Sequence, residues 1–239
     1  MNRAAYAIFM ALALVTALVV RRLIPKPSPY AELPAWKRAA IGAAAFAGGV
    51  LGAKLPFVLT GEEGLFTGVA WLSDGKTIVA GFGIGYLAVE IVKLAVGVRA
   101  KTGDTFALPL ACAMAVGRWG CFFNGCCYGT PTDLPWAVNF AGAARHPTQL
   151  YEVLFHAAMA AGLFQLLRRR LMPRQHLKLY LLGYCVFRFA VEFIRPEPAW
   201  WLGLSVYQWA AAALAIPLAI QWIADAGPSA SKSEAAPRL

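Results

Sequence analysis

The groups in this sequence best suited to chemistry are guanidiniums, carboxylates and thiols in three short runs, and together they suit the handling of an anionic phosphate. The densest run is Val116-Gly117-Arg118-Trp119-Gly120-Cys121-Phe122-Phe123-Asn124-Gly125-Cys126-Cys127-Tyr128-Gly129, in which four glycines bracket one guanidinium, one carboxamide and three thiols. Glycine permits close backbone approach and positive φ, so the run can fold a helix end around an anionic headgroup. In the second run Arg188, Glu192 and Arg195 are spaced by four and three residues and share one helical face, which Tyr184 extends by a turn. A planar five-donor guanidinium matches phosphate well, and Glu192 by itself does not exhaust Arg188. In the third, Arg145-His146-Pro147-Thr148-Gln149-Leu150-Tyr151-Glu152, Pro147 sits at a first helical turn, where its missing N–H is harmless. Gln149, Glu152 and His156 then follow at three- and four-residue steps as one polar stripe. The plainer alternative, that these residues only pin helices together, stays open for Glu192, Gln149 and Glu152 and is the preferred reading of His156.

Only a helical scaffold inside a membrane accounts for the elements around these runs. Of 239 residues, 59% are hydrophobic and 14% charged, which is a membrane composition. Apolar runs near 4–20, 39–60, 76–98, 105–123, 148–167, 177–194 and 201–224 approach the ~20 residues that cross ~30 Å of hydrocarbon. The expected fold is therefore all-α and polytopic, with about seven transmembrane helices in one domain over 1–225 and a short disordered tail over 226–239. Gly48, Gly49, Gly52, Gly81, Gly83 and Gly85 suit close helix packing in lipid. An ionisable residue within a span costs about 2.5–3.5 kcal/mol on insertion scales, so Arg188 and Glu192 are functional candidates by depth as well as type. Glu90 and Lys93, on one face of the third span with Tyr86 and Gly97, read as a structural pair; Lys54 is given no role.

Lys+Arg 22 against Asp+Glu 12 gives a net charge of +10, and its distribution decides its meaning. Arg21, Arg22, Lys26, Lys37 and Arg38 fill the first loop, Arg99 and Lys101 the third, and Arg168, Arg169, Arg170, Arg174 and Lys178 the fifth. The second loop carries Glu62, Glu63 and Asp74, while the fourth and sixth carry mainly Arg118, Arg145 and Arg195. By the positive-inside rule the first, third and fifth are cytoplasmic, placing the N-terminus outside, the C-terminus in the cytoplasm and the three polar runs at the outer face. Topology thus absorbs the basic excess, and no nucleic-acid partner is expected. The first apolar run has its arginines after it, opposite to a cleaved signal peptide, and is expected to be a retained span. No repeated pair of broken helices marks a transporter, and 201–224 lacks the lysine a retinal protein needs.

The run Gly117-Arg118-x-Gly120-x-Phe122-x-Asn124-Gly125-x-x-Tyr128-Gly129, then Arg145 to Glu152, then Arg188-Phe189-x-Val191-Glu192-Phe193-x-Arg195 resembles the prolipoprotein diacylglyceryl transferase family, in motif order and over most of the chain. The resemblance implies transfer of the diacylglyceryl group of phosphatidylglycerol to the lipobox cysteine thiol of a preprolipoprotein, with release of glycerol 1-phosphate and with no metal or organic cofactor. It implies that Arg118 and Arg188 clamp the departing phosphate, that Glu192 orients an arginine, and that Asn124, Gly125, Tyr128, Gln149, Tyr151, Glu152 and Arg195 line the substrate site. The implied partners are phosphatidylglycerol, preprolipoprotein signal peptides and membrane lipids. The implied location is the bacterial cytoplasmic (inner) membrane, with the active site toward the periplasmic side; helices rather than strands agree with that membrane.

The departures from that pattern are specific. Where the family has His-Gly-Gly, this chain reads Val79-Ala80-Gly81-Phe82, so Ala80 stands in the histidine's place; Cys121 replaces an Asn, Cys126 a Glu and Thr130 an Arg. His146, an imidazole that titrates near neutrality, is the candidate stand-in base. Two alternatives stay open beside the family reaction: the same donor used with a non-lipoprotein acceptor, and a non-catalytic lipid-binding homologue. Five cysteines at uneven spacing do not make a disulfide scaffold, and Cys121-x4-Cys126-Cys127 lacks the separated pairs of a zinc site. A disulfide from Cys121 to Cys126 or Cys127 and inert thiols both stay open.

Overall fold

The computed structural model describes residues 2–24, 28–60 and 77–226. Its helices are α1 (Arg3–Leu23), the short α2 (Ser28–Ala31), α3 (Ala35–Thr60), α4 (Ile78–Ala95), α5 (Asp104–Asn124), α6 (Thr148–Arg168), α7 (His176–Val191) and α8 (Val206–Ala226). Six of them, α1, α3, α4, α5, α6 and α8, are long and apolar enough to cross a membrane. The protein is an all-α polytopic membrane protein, apart from two small antiparallel hairpins that the hydropathy pattern did not predict: β1 (Val138–Phe140) with β2 (Ala143–Arg145), and β3 (Ala199–Trp201) with β4 (Leu204–Ser205).

The hairpins explain two differences from the expected spans. The expected run 177–194 forms a helix of only 16 residues, about 24 Å at 1.5 Å per residue, before it tightens into a 3₁₀ turn over Glu192–Ile194. The expected 201–224 begins as a helix only at Val206, because Leu202 (φ 51°) and Gly203 (φ 70°) reverse the chain first. Ser205 and Gln208 then cap α8 reciprocally: the Ser205 N–H donates to Gln208 Oε1 at 2.8 Å, and the Gln208 N–H to Ser205 Oγ at 3.3 Å. The acidic residues Glu62, Glu63 and Asp74, the cation Lys26 and the tail over 227–239 lie outside the described residues.

Polarity is distributed as lipid requires. Leu87, Ile91, Leu94, Ile216, Ile220 and Ile223 are exposed, whereas Thr148, Gln149, Glu152 and His156 are fully buried. The basic loops converge at one end of the bundle: Lys101 and Lys178 both pair with Asp225, and Asp104 accepts the N–H groups of Arg174 (2.5 Å) and His176 (3.0 Å). The carboxyl end of α5, the amino end of α6, the carboxyl end of α7 and the amino end of α8 therefore meet at the opposite end, where the three polar runs lie.

Small residues set the helix spacing. A Cβ on Gly52 would lie 2.5 Å from Ile84 Cβ, and one on Gly48 2.6 Å from Ala88 Cβ, so α3 and α4 touch backbone to backbone. Gly83 differs: a Cβ there meets Leu214 at an ordinary 3.5 Å. Gly52→Leu is expected to cost about 1–3 kcal/mol or more through overpacking, read as a lowered Tm in detergent, while Gly83→Ala leaves Tm unchanged. Equal shifts for the two variants would contradict this packing.

Candidate functional site

One carboxylate organises the site. Glu152, on the second turn of α6, is fully buried. Its Oε2 pairs with Arg118 from α5 and accepts the Tyr184 hydroxyl from α7 at 3.2 Å. Its Oε1 faces Arg188 Nη1, also from α7, at 3.5 Å. Two guanidiniums, both buried and both from helix ends, thus reach one carboxylate from different helices. Arg188 turns its Nη2 to Glu192 Oε2 at 2.7 Å and lies over the Tyr207 ring at 5.3 Å. Glu192 Oε1 accepts the Ser205 hydroxyl at 3.0 Å, which ties the 3₁₀ turn after α7 to the cap of α8. Arg195 sits 3.7 Å from Glu192 Oε2, donates to Glu197 at 3.0 Å and donates to the Cys127 carbonyl at 3.0 Å.

A guanidinium carries five N–H donors. Arg118 shares its carboxylate with Arg188, and its buried Nε has no acceptor among the described residues. Buried charges are stable only when paired and hydrogen-bonded, so the unpaired Arg118 Nε–H at this depth is a donor without a protein acceptor among the described residues. Guanidinium donors in parallel favour phosphate or carboxylate oxygens.

The loop after α5 is built by its cap. Gly125 adopts the left-handed conformation (φ 68°) and closes the helix on the carbonyls of Cys121 and Phe122, which turns Cys126 and Cys127 back toward Cys121. The three sulfurs lie within 4.8 Å of one another, Cys126 and Cys127 at 3.8 Å, and all five cysteines are unbridged. Arg118 Nη1 reaches Cys121 Sγ at 3.5 Å. The loop carbonyls are fixed from outside: Gln149 Nε2 donates to Cys126 at 2.6 Å and Thr148 Oγ1 to Cys127 at 2.5 Å. Just past the helix, the Cys127 thiol is held well below its usual range by hydrogen bonds from Cys121 and Cys126 and then by the charges of Arg118 and Arg195, against the opposing effect of burial. These cysteines are the residues that could hold a metal; their linear spacing hid it, because a left-handed cap folds the x4 gap shut.

The remaining sequence candidates fall into two groups. Tyr128 stacks on Phe140 at 5.5 Å beneath Arg145 at 5.0 Å, and so holds the hairpin β1–β2 against the loop. Asn124 is buried in the last turn of α5. His146 and Tyr151 do not join the arginines: His146 Nδ1 meets the Tyr151 hydroxyl at 3.1 Å, and that hydroxyl also accepts Trp136 Nε1 at 2.8 Å. They line an open apolar groove of about 590 Å³ with Trp136, Pro147, Leu150 and Leu154. His156 Nδ1 pairs with the Tyr180 hydroxyl at 2.9 Å and the ring stacks on Tyr184, while its buried Nε2 has no hydrogen-bond partner among the described residues. Ala80 lies in the first turn of α4, whose Phe82 packs edge-on against Tyr184 at 5.2 Å. Ser205, Tyr207 and Gln208 escaped the sequence reading, although Ser205-x-x-Gln208 is a capping-box signature that could have found two of them.

The family model for prolipoprotein diacylglyceryl transferase matches residues 2–224. Among curated relatives, phosphatidylglycerol-prolipoprotein diacylglyceryl transferase 1 of Streptomyces coelicolor is 33% identical over 203 residues, covering 78% of this chain and 57% of the relative. The corresponding transferase of Streptomyces griseus is 35% identical over 191 residues, covering 73% of this chain and 58% of the relative. That of Clostridium tetani is 29% identical over 211 residues, covering 81% of each. This chain therefore spans a little over half the length of the two Streptomyces relatives.

Removing the shared counter-ion strands two buried guanidiniums. Glu152→Ala is expected to destabilise the folded protein by about 3–5 kcal/mol, measured as a fall in Tm in detergent. Tyr151→Ala, one residue earlier but facing the groove, is expected to give a clearly smaller fall; equal losses would place the centre of the cluster elsewhere.

Proposed function

The chain belongs to the prolipoprotein diacylglyceryl transferase family, and we propose on that footing that it moves the diacylglyceryl group of phosphatidylglycerol to the lipobox cysteine thiol of a preprolipoprotein, releasing glycerol 1-phosphate. The observation that carries this reading is the pair of buried arginines on one carboxylate, with donors left over for an anion. The phosphate of the donor lipid enters beside Glu152, takes the unpaired Nε–H of Arg118 and meets the positive charge of Arg188. As the bond between the glyceryl carbon and the phosphate oxygen breaks, negative charge grows on that oxygen. Donors already aimed and desolvated stabilise such charge without reorganising. Glu152 and Glu192 hold the guanidiniums in position, and Arg195 fixes the loop at Cys127.

The other residues serve this arrangement. Asn124 and Gly125 shape the end of α5, Tyr128 and Gln149 brace the loop, and His146 and Tyr151 form a wall of the groove, which suits an acyl chain or the apolar part of a signal peptide. The positive-inside rule turns the arginine-rich end toward the cytoplasm, the N-terminus outward and the site toward the outer face of the bacterial cytoplasmic membrane.

A second reading keeps the donor and changes the acceptor. It draws on one observation: His146, His156 and His176 pair with Tyr151, Tyr180 and Asp104, and among the described residues none of them touches Arg118 or Arg188. His156 comes nearest, stacked on Tyr184, but it is fully buried, so a thiol acceptor lacks an accessible imidazole bonded to the clamp.

Cells depleted of their own transferase, expressing this chain and fed labelled phosphatidylglycerol, separate the readings. Thioether-linked label in lipoproteins is expected; label confined to glycan or lipid fractions would select the second reading. Arg118→Ala and Arg188→Ala are each expected to lower transfer by about 10²-fold or more in protein that still folds. Unchanged transfer in either would remove the clamp from the account.

A further inference from the structure

The thiol cluster and the absent base bear on one another. We propose that Cys121, Cys126 and Cys127 form a three-thiolate zinc site with one coordination position open, and that the acceptor thiol binds there. The inference rests on the thiol-transfer reading above for its acceptor and on the loop geometry for the site itself.

Geometry is the first argument. Thiolates bound tetrahedrally at about 2.3 Å to one zinc ion lie about 3.8 Å from each other. Cys126 and Cys127 are already 3.8 Å apart, and all three sulfurs lie within 4.8 Å, so one ion needs only a small closure of the third. The framework is preorganised. Cys121 rides on the last turn of α5, Gly125 folds the chain back, and Cys127 is held at φ 63°, a conformation costly for a residue with a Cβ. Thr148, Gln149 and Arg195 hold that loop by its carbonyls, as outer groups fix the ligands of a metal.

Charge is the second argument. Three thiolates around a divalent ion carry one net negative charge. Arg118 lies 3.5 Å from Cys121 Sγ, and Arg195 is bonded to the Cys127 backbone, so the anionic centre would sit against two buried guanidiniums. Asn124, nine-tenths buried two residues before Cys126, leaves its Oδ1 without a partner among the described residues. Softness is the third argument, since thiolates select zinc over hard cations such as magnesium or calcium. A fourth protein ligand is lacking among the neighbouring Cys, His, Asp and Glu side chains of the described residues, and three protein ligands with an open place is the arrangement of reactive rather than structural zinc.

The open place meets a chemical need. A thiol that coordinates zinc loses its proton, which passes to water, so no imidazole is required. The bound sulfur then attacks the glyceryl carbon. The C–S bond forms as the C–O bond to phosphate breaks, and the bonding pair leaves on the glycerol phosphate oxygen held by Arg118 and Arg188. The product thioether is neutral, binds zinc weakly and departs. No oxidant or reductant enters.

The test uses the full chain purified in detergent with zinc in the growth medium. Elemental analysis is expected to give about one zinc per chain, as one closed set of thiolate ligands holds one ion. Cys126→Ser/Cys127→Ser is expected to lose it, while Cys112→Ser and Cys185→Ser keep it. Because the double variant can fail to fold, two further readouts use the wild type: zinc should shield the three thiols from alkylation, and cobalt in place of zinc should show sulfur-to-metal charge-transfer absorption. Stripping with a chelator should lower transfer to a lipobox peptide at least about tenfold, and zinc should restore it. A metal-free wild type, a disulfide within the trio in freshly isolated protein, or full transfer by stripped enzyme would each overturn the inference. Zinc bound without lipoprotein labelling would instead overturn the proposed function and leave the metal site standing.

Discussion

The arrangement of this protein turns on a carboxylate shared by two arginines where water is scarce. A lone buried charge is intolerable in lipid, and Glu152 is tolerable only because Arg118, Arg188 and Tyr184 reach it from two other helices. That requirement fixes which helix ends must meet. The carboxyl ends of α5 and α7 have to arrive beside the amino end of α6, and Glu192 with Ser205 draws in the start of α8. The glycine contacts between α3 and α4 serve the same end less directly, because α4 carries Phe82 against Tyr184. The same counter-ions hold both guanidiniums still and leave the Arg118 Nε–H without a partner among the described residues.

Much of this was legible in the sequence, for reasons that show where legibility stops. The spacing of Arg188, Glu192 and Arg195 fixed one helical face, and a contact within a single turn follows from that periodicity: Arg188 does pair with Glu192. Apolar run lengths gave the spans for the same local reason. The partner of Arg118 was beyond reach, because Glu152 lies 34 residues away on another helix and nothing in either run names the other. Glu152 consequently read as one member of a stripe when it is the centre. His146 looked like the available base by type, yet the turn around Pro147 directs it to Tyr151 and the groove. The early end of α7 and the late start of α8 were missed because hydropathy does not see a Leu202-Gly203 reversal within an aromatic run.

The three cysteines illustrate a different limit. Linear spacing rules for metal ligands encode particular turns, and a left-handed glycine after Asn124 is another way to bring thiols together. Of the positions where the resemblance implies a different residue, Cys121 touches Arg118 and Cys126 lies beside Cys127 in the loop that follows, while Ala80 lies on the helix whose Phe82 packs against Tyr184.

The most direct test of the shared clamp is a double-mutant cycle on donor binding. Phosphatidylglycerol affinity would be measured in nanodiscs for the wild type, Arg118→Lys, Arg188→Lys and the double variant. If both arginines hold one phosphate, each single change breaks the same grip, and the double variant should be weaker than the worse single by much less than the sum, a coupling of about 0.5–3 kcal/mol. Strictly additive losses, or no loss at all, would show that the two guanidiniums do not share an anion.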